Sequence, residues 1–302
     1  MTNASITQSQ KRFEESVGKL FEANLTKTQR CLFLSSSTDV GVIRNGGRNG
    51  ARFAPKSFLS TFKKFTLTNE VRKYSFESIE VSRHEEEIED FHSAQLKESE
   101  RISSILDKNP GARICHIGGG HDHIYPLLVS LEARFDNIIV INIDAHADTR
   151  TDLTFSSGTP FRQFAEQTKG HFNLFQIGLH PFANSMSTLT PLSCESHILW
   201  RNDFSGPALD QIFKEISDLT HPRTAVVYSL DADALSASEV PGVSAVNPSG
   251  LTKKDLMEIW NRYVALPITH PPILGIYELN PIYDSLASLS MRTIGSFIFE
   301  TL

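Results

Sequence analysis

A chain of 302 residues with 40% apolar and 21% charged residues has the make-up of a globular protein with room for one large core. Its formal charge of -6 disfavours a nucleic-acid or anionic-membrane surface, and no apolar run approaches the ~20 residues that span a bilayer. Cys31, Cys115 and Cys194 form no CxxC pair and no disulfide framework, and the N-terminal stretch has neither an apolar core nor a cleavage pattern, so a reduced, cytoplasmic setting is expected.

Residues 1–30 read as a polar, partly helical segment, with Phe13, Val17, Leu20 and Phe21 at helical spacing against a core. Residues 31–35 (CLFLS) read as a first strand. The Gly- and Ser-rich stretch that follows, as far as Phe58, reads as a long loop carrying Arg44 and Arg48, and loops after strands collect binding residues. A strand is predicted over 75–82, a solvated charged helix face over 84–90 and a helix over 92–107. Residues 113–117 form a short strand followed by Gly118, Gly119, Gly120, His121 and Asp122. After a helix over 127–135 comes the apolar run Ile138–Ile143, which stops at Asp144, His146 and Asp148. Further strands are expected over 172–177, over 224–230 stopping at Asp231 and Asp233, and over 273–277 stopping at Glu278. Helices are expected over 209–219, over 252–266 with Thr252 as cap and Asp255 three residues on, and from about residue 286 to the end.

Strands and helices alternate, and the strands are continuous apolar runs, as when both faces are covered. The pattern predicts one three-layer α/β domain over 1–302 with a mostly parallel sheet, an α/β barrel being the lesser alternative. Four strands end in ligand-type side chains: His121; Asp144, His146 and Asp148; Asp231 and Asp233; and Glu278. In open α/β sheets ligands bind at the carboxyl ends of strands, where these groups would converge. Each piece alone has a plain reading as a loop histidine or a turn carboxylate. All four at the same strand end point to metal, because buried carboxylates are costly without a cation.

Four carboxylates and two imidazoles without a thiolate make a hard, oxygen-rich set that suits manganese better than structural zinc or magnesium. Six ligands exceed the need of one ion, whereas two ions ~3.5–4 Å apart with bridging carboxylates would use them all and provide a hydroxide nucleophile. Glu278, outside the metal set, is placed to hold a cationic substrate group such as an amidine, a guanidine or a formimino group.

The segments GGGHD (118–122), NIDAHAD (142–148), SLDADAL (229–235) and YELNP (277–281) together resemble the arginase/agmatinase ureohydrolase superfamily in order and spacing. The resemblance implies a three-layer α/β/α sandwich with an eight-stranded sheet, two Mn2+ ions per subunit and a homo-oligomer. One ion would take His121, Asp144, Asp148 and Asp231, and the other Asp144, His146, Asp231 and Asp233. Asp144 and Asp231 would bridge, and Asp148 would also orient the hydroxide or relay its proton.

Within the superfamily the segments RNGGRNGA (44–51), SSGTPF (156–161), LHPFANS (179–185) and PGVSA (241–245) resemble the formimidoylglutamase branch. Ser236 and Ala237 stand where arginases and agmatinases usually carry Asp and Pro, and Phe161 stands where arginases carry a proton-transferring histidine. Asp122 departs from the Glu more usual in the formimidoylglutamase branch. The branch implies hydrolysis of N-formimino-L-glutamate to L-glutamate and formamide. Glu278, Arg150, Ser157 and Arg48 are the expected substrate contacts, Arg150 gripping a carboxylate. Its alternative role is an ion pair with Asp152. Arg44 and Arg162 are further candidates, while His123, Tyr125 and His180 are assigned packing roles. The alternative activities are a guanidino-acid or amine hydrolase releasing urea, and a non-catalytic metal-binding relative.

Overall fold

In the computed structural model residues 8–22, 29–83 and 90–302 are described. They form eight strands: β1 (Gln29–Ser37), β2 (Tyr74–Arg83), β3 (Arg113–Ile117), β4 (Asn137–Ile143), β5 (His171–Leu179), β6 (Glu195–Trp200), β7 (Thr224–Asp231) and β8 (Ile273–Tyr277). The helices are α1 (Gln8–Glu14), α2 (Val40–Arg44), α3 (Ala54–Phe62), α4 (Phe91–Lys108), α5 (Ile124–Glu132), α6 (Pro160–Gln167), α7 (Gly206–Leu219), α8 (Lys253–Val264) and α9 (Leu289–Glu300). None is long and apolar enough to cross a membrane.

The strands form one sheet in the order β2-β1-β3-β8-β7-β4-β5-β6, and every neighbouring pair is parallel. Successive side chains of a strand point to opposite faces. In β4, Ile139, Ile141 and Ile143 therefore enter one core with Phe58 of α3, Leu209 of α7, Ile259 of α8 and Ile294 of α9. Ile138 and Val140 enter the other, with Ile102 of α4, Leu127 of α5 and Phe164 of α6. A helical layer on each face explains why β3, β4, β7 and β8 are buried along their whole length. The barrel alternative is excluded, because β2 and β6 are edges.

The structure corrects several expectations. The stretch read as one loop before Phe58 contains α2 and the start of α3, and Pro55 sits in the first turn of α3, where its missing N–H is harmless. Neither α6 nor β6 was anticipated. β6 is a mostly exposed edge strand without the apolar run that marks a central one. Val17 and Leu20 are buried as expected, but Phe13 remains 42% exposed. The charged run lies outside the described residues except for Asp90, which caps α4 by accepting the Ser93 N–H at 2.9 Å. The capping box of Thr252 and Asp255 is present on α8.

Sheet order brings the site together. His121 follows β3, Glu278 follows β8, Asp231 and Asp233 end β7, and Asp144, His146 and Asp148 follow β4. These four strands are consecutive neighbours, so their carboxyl ends form one continuous rim. Ile141, in the middle of β4 and fully buried, packs this side of the sheet against the helices. Ile141→Ala is expected to lower the free energy of unfolding by about 2–5 kcal/mol. A denaturant midpoint equal to that of the wild type would show that β4 is not central to the core.

Candidate metal centre

Two turns of the same design carry five of the six candidate ligands. The side chain of Asp144 bends back so that Oδ1 accepts the His146 N–H at 2.8 Å. Asp231 does the same with the Asp233 N–H at 2.9 Å. This local turn is why an Asp-x-His or Asp-x-Asp spacing directs both side chains to one side beyond a strand end. Asp148 then takes a left-handed backbone (φ 50°), as does Glu278 (φ 61°). These conformations are costly for non-glycine residues and persist here because the surroundings hold them. The Glu278 N–H donates to Gly119 O at 2.8 Å, and its Oε1 accepts the His121 N–H at 3.0 Å.

The glycines before His121 permit the close approach. A Cβ on Gly119 would stand 1.7 Å from Thr38 O, so the loop after β3 can lie against the chain leaving β1 only without a side chain there.

Two groups of ligand atoms result, one from His121, Asp144, Asp148 and Asp231 and one from Asp144, His146 and Asp233, each within 4.8 Å. Asp144 belongs to both, the place of a bridging carboxylate. Asp231 belongs to the first group only, which differs from the expected second set.

The donor chemistry fits cations. His121 Nδ1 lies 3.2 Å from Asp144 Oδ2, 2.9 Å from Asp148 Oδ2 and 3.1 Å from Asp231 Oδ2. Yet this fully buried nitrogen makes no hydrogen bond, and neither does Asp233 Oδ1. His121 Nε2 is 2.9 Å from Ser229 Oγ, which accepts its proton when Nδ1 serves as a ligand. A ring nitrogen that faces three carboxylate oxygens without a hydrogen bond to any is the arrangement of ligands around a shared cation.

The titration behaviour agrees. Burial and the neighbouring Asp144 charge raise the Asp148 carboxyl to about 6. Burial and the Asp231 charge push Asp233 and Glu278 well up. The Asp233 carboxylate raises His146, and on His121 the three carboxylates outweigh the effect of burial. Asp144, despite its burial, is lowered to about 2 by the two histidines. Without a cation the cluster therefore holds extra protons.

A cavity of about 320 Å³ opens onto the cluster, lined by His146, Asp148, Asp231, Asp233, Glu278, Arg150, Ser157 and Arg48 among others. The arginines separate by their partners. Arg48 is spent on structure: Nη2 donates to Val243 O at 2.7 Å, Nε to Ser244 O at 3.0 Å, and the guanidinium lies over Tyr283. Arg44 donates to Phe155 O, and Arg162 to Thr149 O and Thr190 O. Arg150 differs: its guanidinium has no hydrogen-bond or ion-pair partner among the described residues, and the alternative pair with Asp152 is not formed.

Phe161 is buried edge-on against His121, 5.3 Å between rings. His123, Tyr125 and His180 are buried and bonded to Glu98, Gln167 and Asn247 respectively. The sequence reading missed Asn45 and Asn184, which line the cavity. Asn184 accepts the Ala147 N–H and donates to Ala145 O, holding the ligand turn from behind. It lies in the segment LHPFANS (179–185), which carried the resemblance without singling out this amide.

The arginase family profile matches residues 34–302. The chain belongs to the arginase family. It is 28% identical over 261 residues to a formimidoylglutamase of Photorhabdus laumondii, covering 83% of this chain and 78% of that one. It is also 28% identical over 295 residues to one of Legionella pneumophila (strain Lens), covering 92% and 88%. Among solved structures, formimidoylglutamase from Bacillus subtilis superposes with a TM-score of 0.77 at 20% identity, covering 91% of this chain and 87% of that one. Trypanosoma cruzi formiminoglutamase with Mn2+2 superposes with a TM-score of 0.73 at 22% identity, covering 93% and 95%. The expected fold and the expected formimidoylglutamase-like hydrolase are borne out by the family match and these relatives.

Linkage gives the cluster a test. The raised Asp148 stabilises the metal-free fold fully below its ordinary value of 3.8, and this contribution is lost as pH rises through about 6. Metal binding displaces the same protons. The gain in melting temperature on adding Mn2+ is therefore expected to grow as pH rises through about 6, measured against a chelator-treated sample. A gain independent of pH would place the metal elsewhere.

Proposed function

We propose that this chain hydrolyses N-formimino-L-glutamate to L-glutamate and formamide, with two Mn2+ ions held by His121, Asp144, His146, Asp148, Asp231 and Asp233. When bound, the ions would supply Lewis acidity and a hydroxide formed near neutral pH. The water oxygen becomes the formamide carbonyl, and the C–N bond to glutamate breaks as its nitrogen gains a proton. Family membership and the named relatives support the reaction class.

The observation that carries the substrate choice is the pairing of Glu278 and Arg150 in one cavity. Glu278 receives the cationic formimino nitrogens by charge-assisted hydrogen bonds, with one oxygen tied to the His121 amide. Arg150, whose guanidinium has no partner among the described residues, grips a substrate carboxylate. Its backbone N–H donates to Gly158 O at 2.9 Å and its side chain runs over Gly158, which aims it. Agmatine has no carboxylate to offer, so this arginine favours an amino-dicarboxylate end. Asp148, at the cavity wall beside the ions, would relay the proton to the leaving nitrogen. Ser157 also lines the cavity, its Oγ accepting from Asn45 Nδ2.

Purified protein loaded with Mn2+ is expected to release formamide from N-formimino-L-glutamate. It should release little or no urea from arginine, agmatine or 4-guanidinobutyrate. Urea without formamide would replace this reading with a guanidino hydrolase. Arg150→Ala is expected to raise KM for formiminoglutamate roughly 10–100-fold with kcat changed far less, the loss of one charged hydrogen-bond pair. An unchanged KM would remove Arg150 from the substrate contacts.

A further inference from the structure

Against the metal centre, and outside the lining of the cavity, lies a second polar cluster that the proposed reaction does not use. It consists of Ser36 at the end of β1, Glu98 in α4, His116 in β3, His123 in the turn after β3, and Tyr277 in β8. Each of these side chains is at most 3% exposed. Buried polar groups at this density are tolerated only when each finds a partner.

The contacts run in one direction. Tyr277 Oη is 3.1 Å from His116 Nδ1 and His116 Nε2 is 2.7 Å from Ser36 Oγ. Ser36 Oγ donates to Glu98 Oε1 at 2.5 Å. His123 Nδ1 reaches both oxygens of Glu98, at 3.1 and 2.9 Å. One donor order satisfies the chain: the tyrosine hydroxyl donates to His116 Nδ1, His116 Nε2–H to Ser36, and Ser36 and His123 to the carboxylate. The run from Tyr277 therefore ends at Glu98, which accepts from Ser36 and His123, while His123 Nε2 makes no hydrogen bond and stands 3.7 Å from Asp122 Oδ2.

Both ends of the network hold the metal centre. The Tyr277 ring stacks on the His121 ring, 4.9 Å between centroids and 22° between planes. The next residue, Glu278, accepts the His121 N–H. His123 lies in the same 3-10 turn as His121, which binds that turn to α4. Glycines at 118 and 275 leave the room that the tyrosine occupies, since a Cβ at either would stand 2.4 Å from it.

We propose that Glu98 is a positioning residue for the metal centre. It fixes the ring plane of His121 through Tyr277 and the turn that bears His121 through His123. This rests on the metal-dependent reading above, but its test uses no substrate. In Glu98→Gln the side chain keeps its size, while one acceptor becomes an N–H₂ that must face a donor from Ser36 or His123. Ligand-orienting partners outside the coordination sphere typically contribute 10–100-fold in metal affinity.

The experiment is a calorimetric titration of chelator-treated protein with Mn2+ alone, beside a thermal melt of the metal-free forms. Folded Glu98→Gln is expected to lose roughly tenfold or more in affinity for the ion nearest His121. It should retain wild-type affinity for the ion held by Asp144, His146 and Asp233. A merely structural role would lower the melting temperature and weaken both sites together or neither. Wild-type affinity at both sites, or equal loss at both, overturns the proposal. If Glu98→Gln does not fold, Ser36→Ala decides. It removes one link and is expected to weaken the same single site several-fold, and unchanged binding by folded Ser36→Ala overturns the proposal equally. Loss of the His121 site in a protein that produces no formamide would leave the positioning role standing and remove the assigned reaction.

Discussion

The structure turns on the burial of four carboxylates beside two imidazoles. Asp144, Asp148, Asp231 and Asp233 are each at most 8% exposed, and Glu278 lies beside them at 6%. Like charges at this separation in a low-dielectric interior cannot all ionise without compensation. The protein can hold protons there, which the raised carboxyls show, or it can hold cations. The buried His121 Nδ1, which makes no hydrogen bond although three carboxylate oxygens face it, makes the second solution the fitting one. Much of the surrounding architecture follows from the need to keep these groups together.

Three devices meet that need. Parallel strands put the carboxyl ends of β3, β8, β7 and β4 side by side, so four separate chain segments deliver ligands to one rim. Local turns closed by Asp144 and Asp231 direct the following ligands inward. A glycine at 119 lets the His121 loop approach the β1 end within backbone contact. Beyond these, Asn142 donates to Asp144 Oδ2 at 3.3 Å, and Asn184 holds Ala145 and Ala147. The buried chain from Tyr277 to Glu98 lies against the metal centre, outside the lining of the cavity. A ligand set of this charge needs support of this density, because each group left to rotate would relax away from its neighbours.

The cavity shows how residue type and availability differ. Besides Arg150, the sequence offered Arg48 as an expected anion binder and Arg44 and Arg162 as further candidates. Arg44 and Arg162 donate to backbone carbonyls of neighbouring loops, and Arg48 joins Val243 and Ser244 to Tyr283. Of these, Arg48 lines the cavity, whereas Arg44 and Arg162 do not. Arg150, two residues beyond Asp148, keeps its guanidinium for the cavity. Specificity in this reading rests on a charge that the fold leaves uncommitted.

The sequence by itself determined the layer architecture, the parallel sheet and the candidate metal set. Continuous apolar strands that stop at Asp or His encode both a two-sided core and the chemistry at its edge, and both signals are local in the chain. It did not disclose β6 or α6, whose apolar patterns are short, nor α2 and α3, hidden in a Gly-rich stretch. Only the tertiary structure decided that Asp144 lies in both ligand groups and Asp231 in one. It alone separated Arg150 from the other arginines, and it alone joined Ser36, Glu98, His116 and Tyr277, drawn from three strands and a helix. The reason is physical: a ligand's identity is written in its side chain, whereas its partners are set by which strands become neighbours.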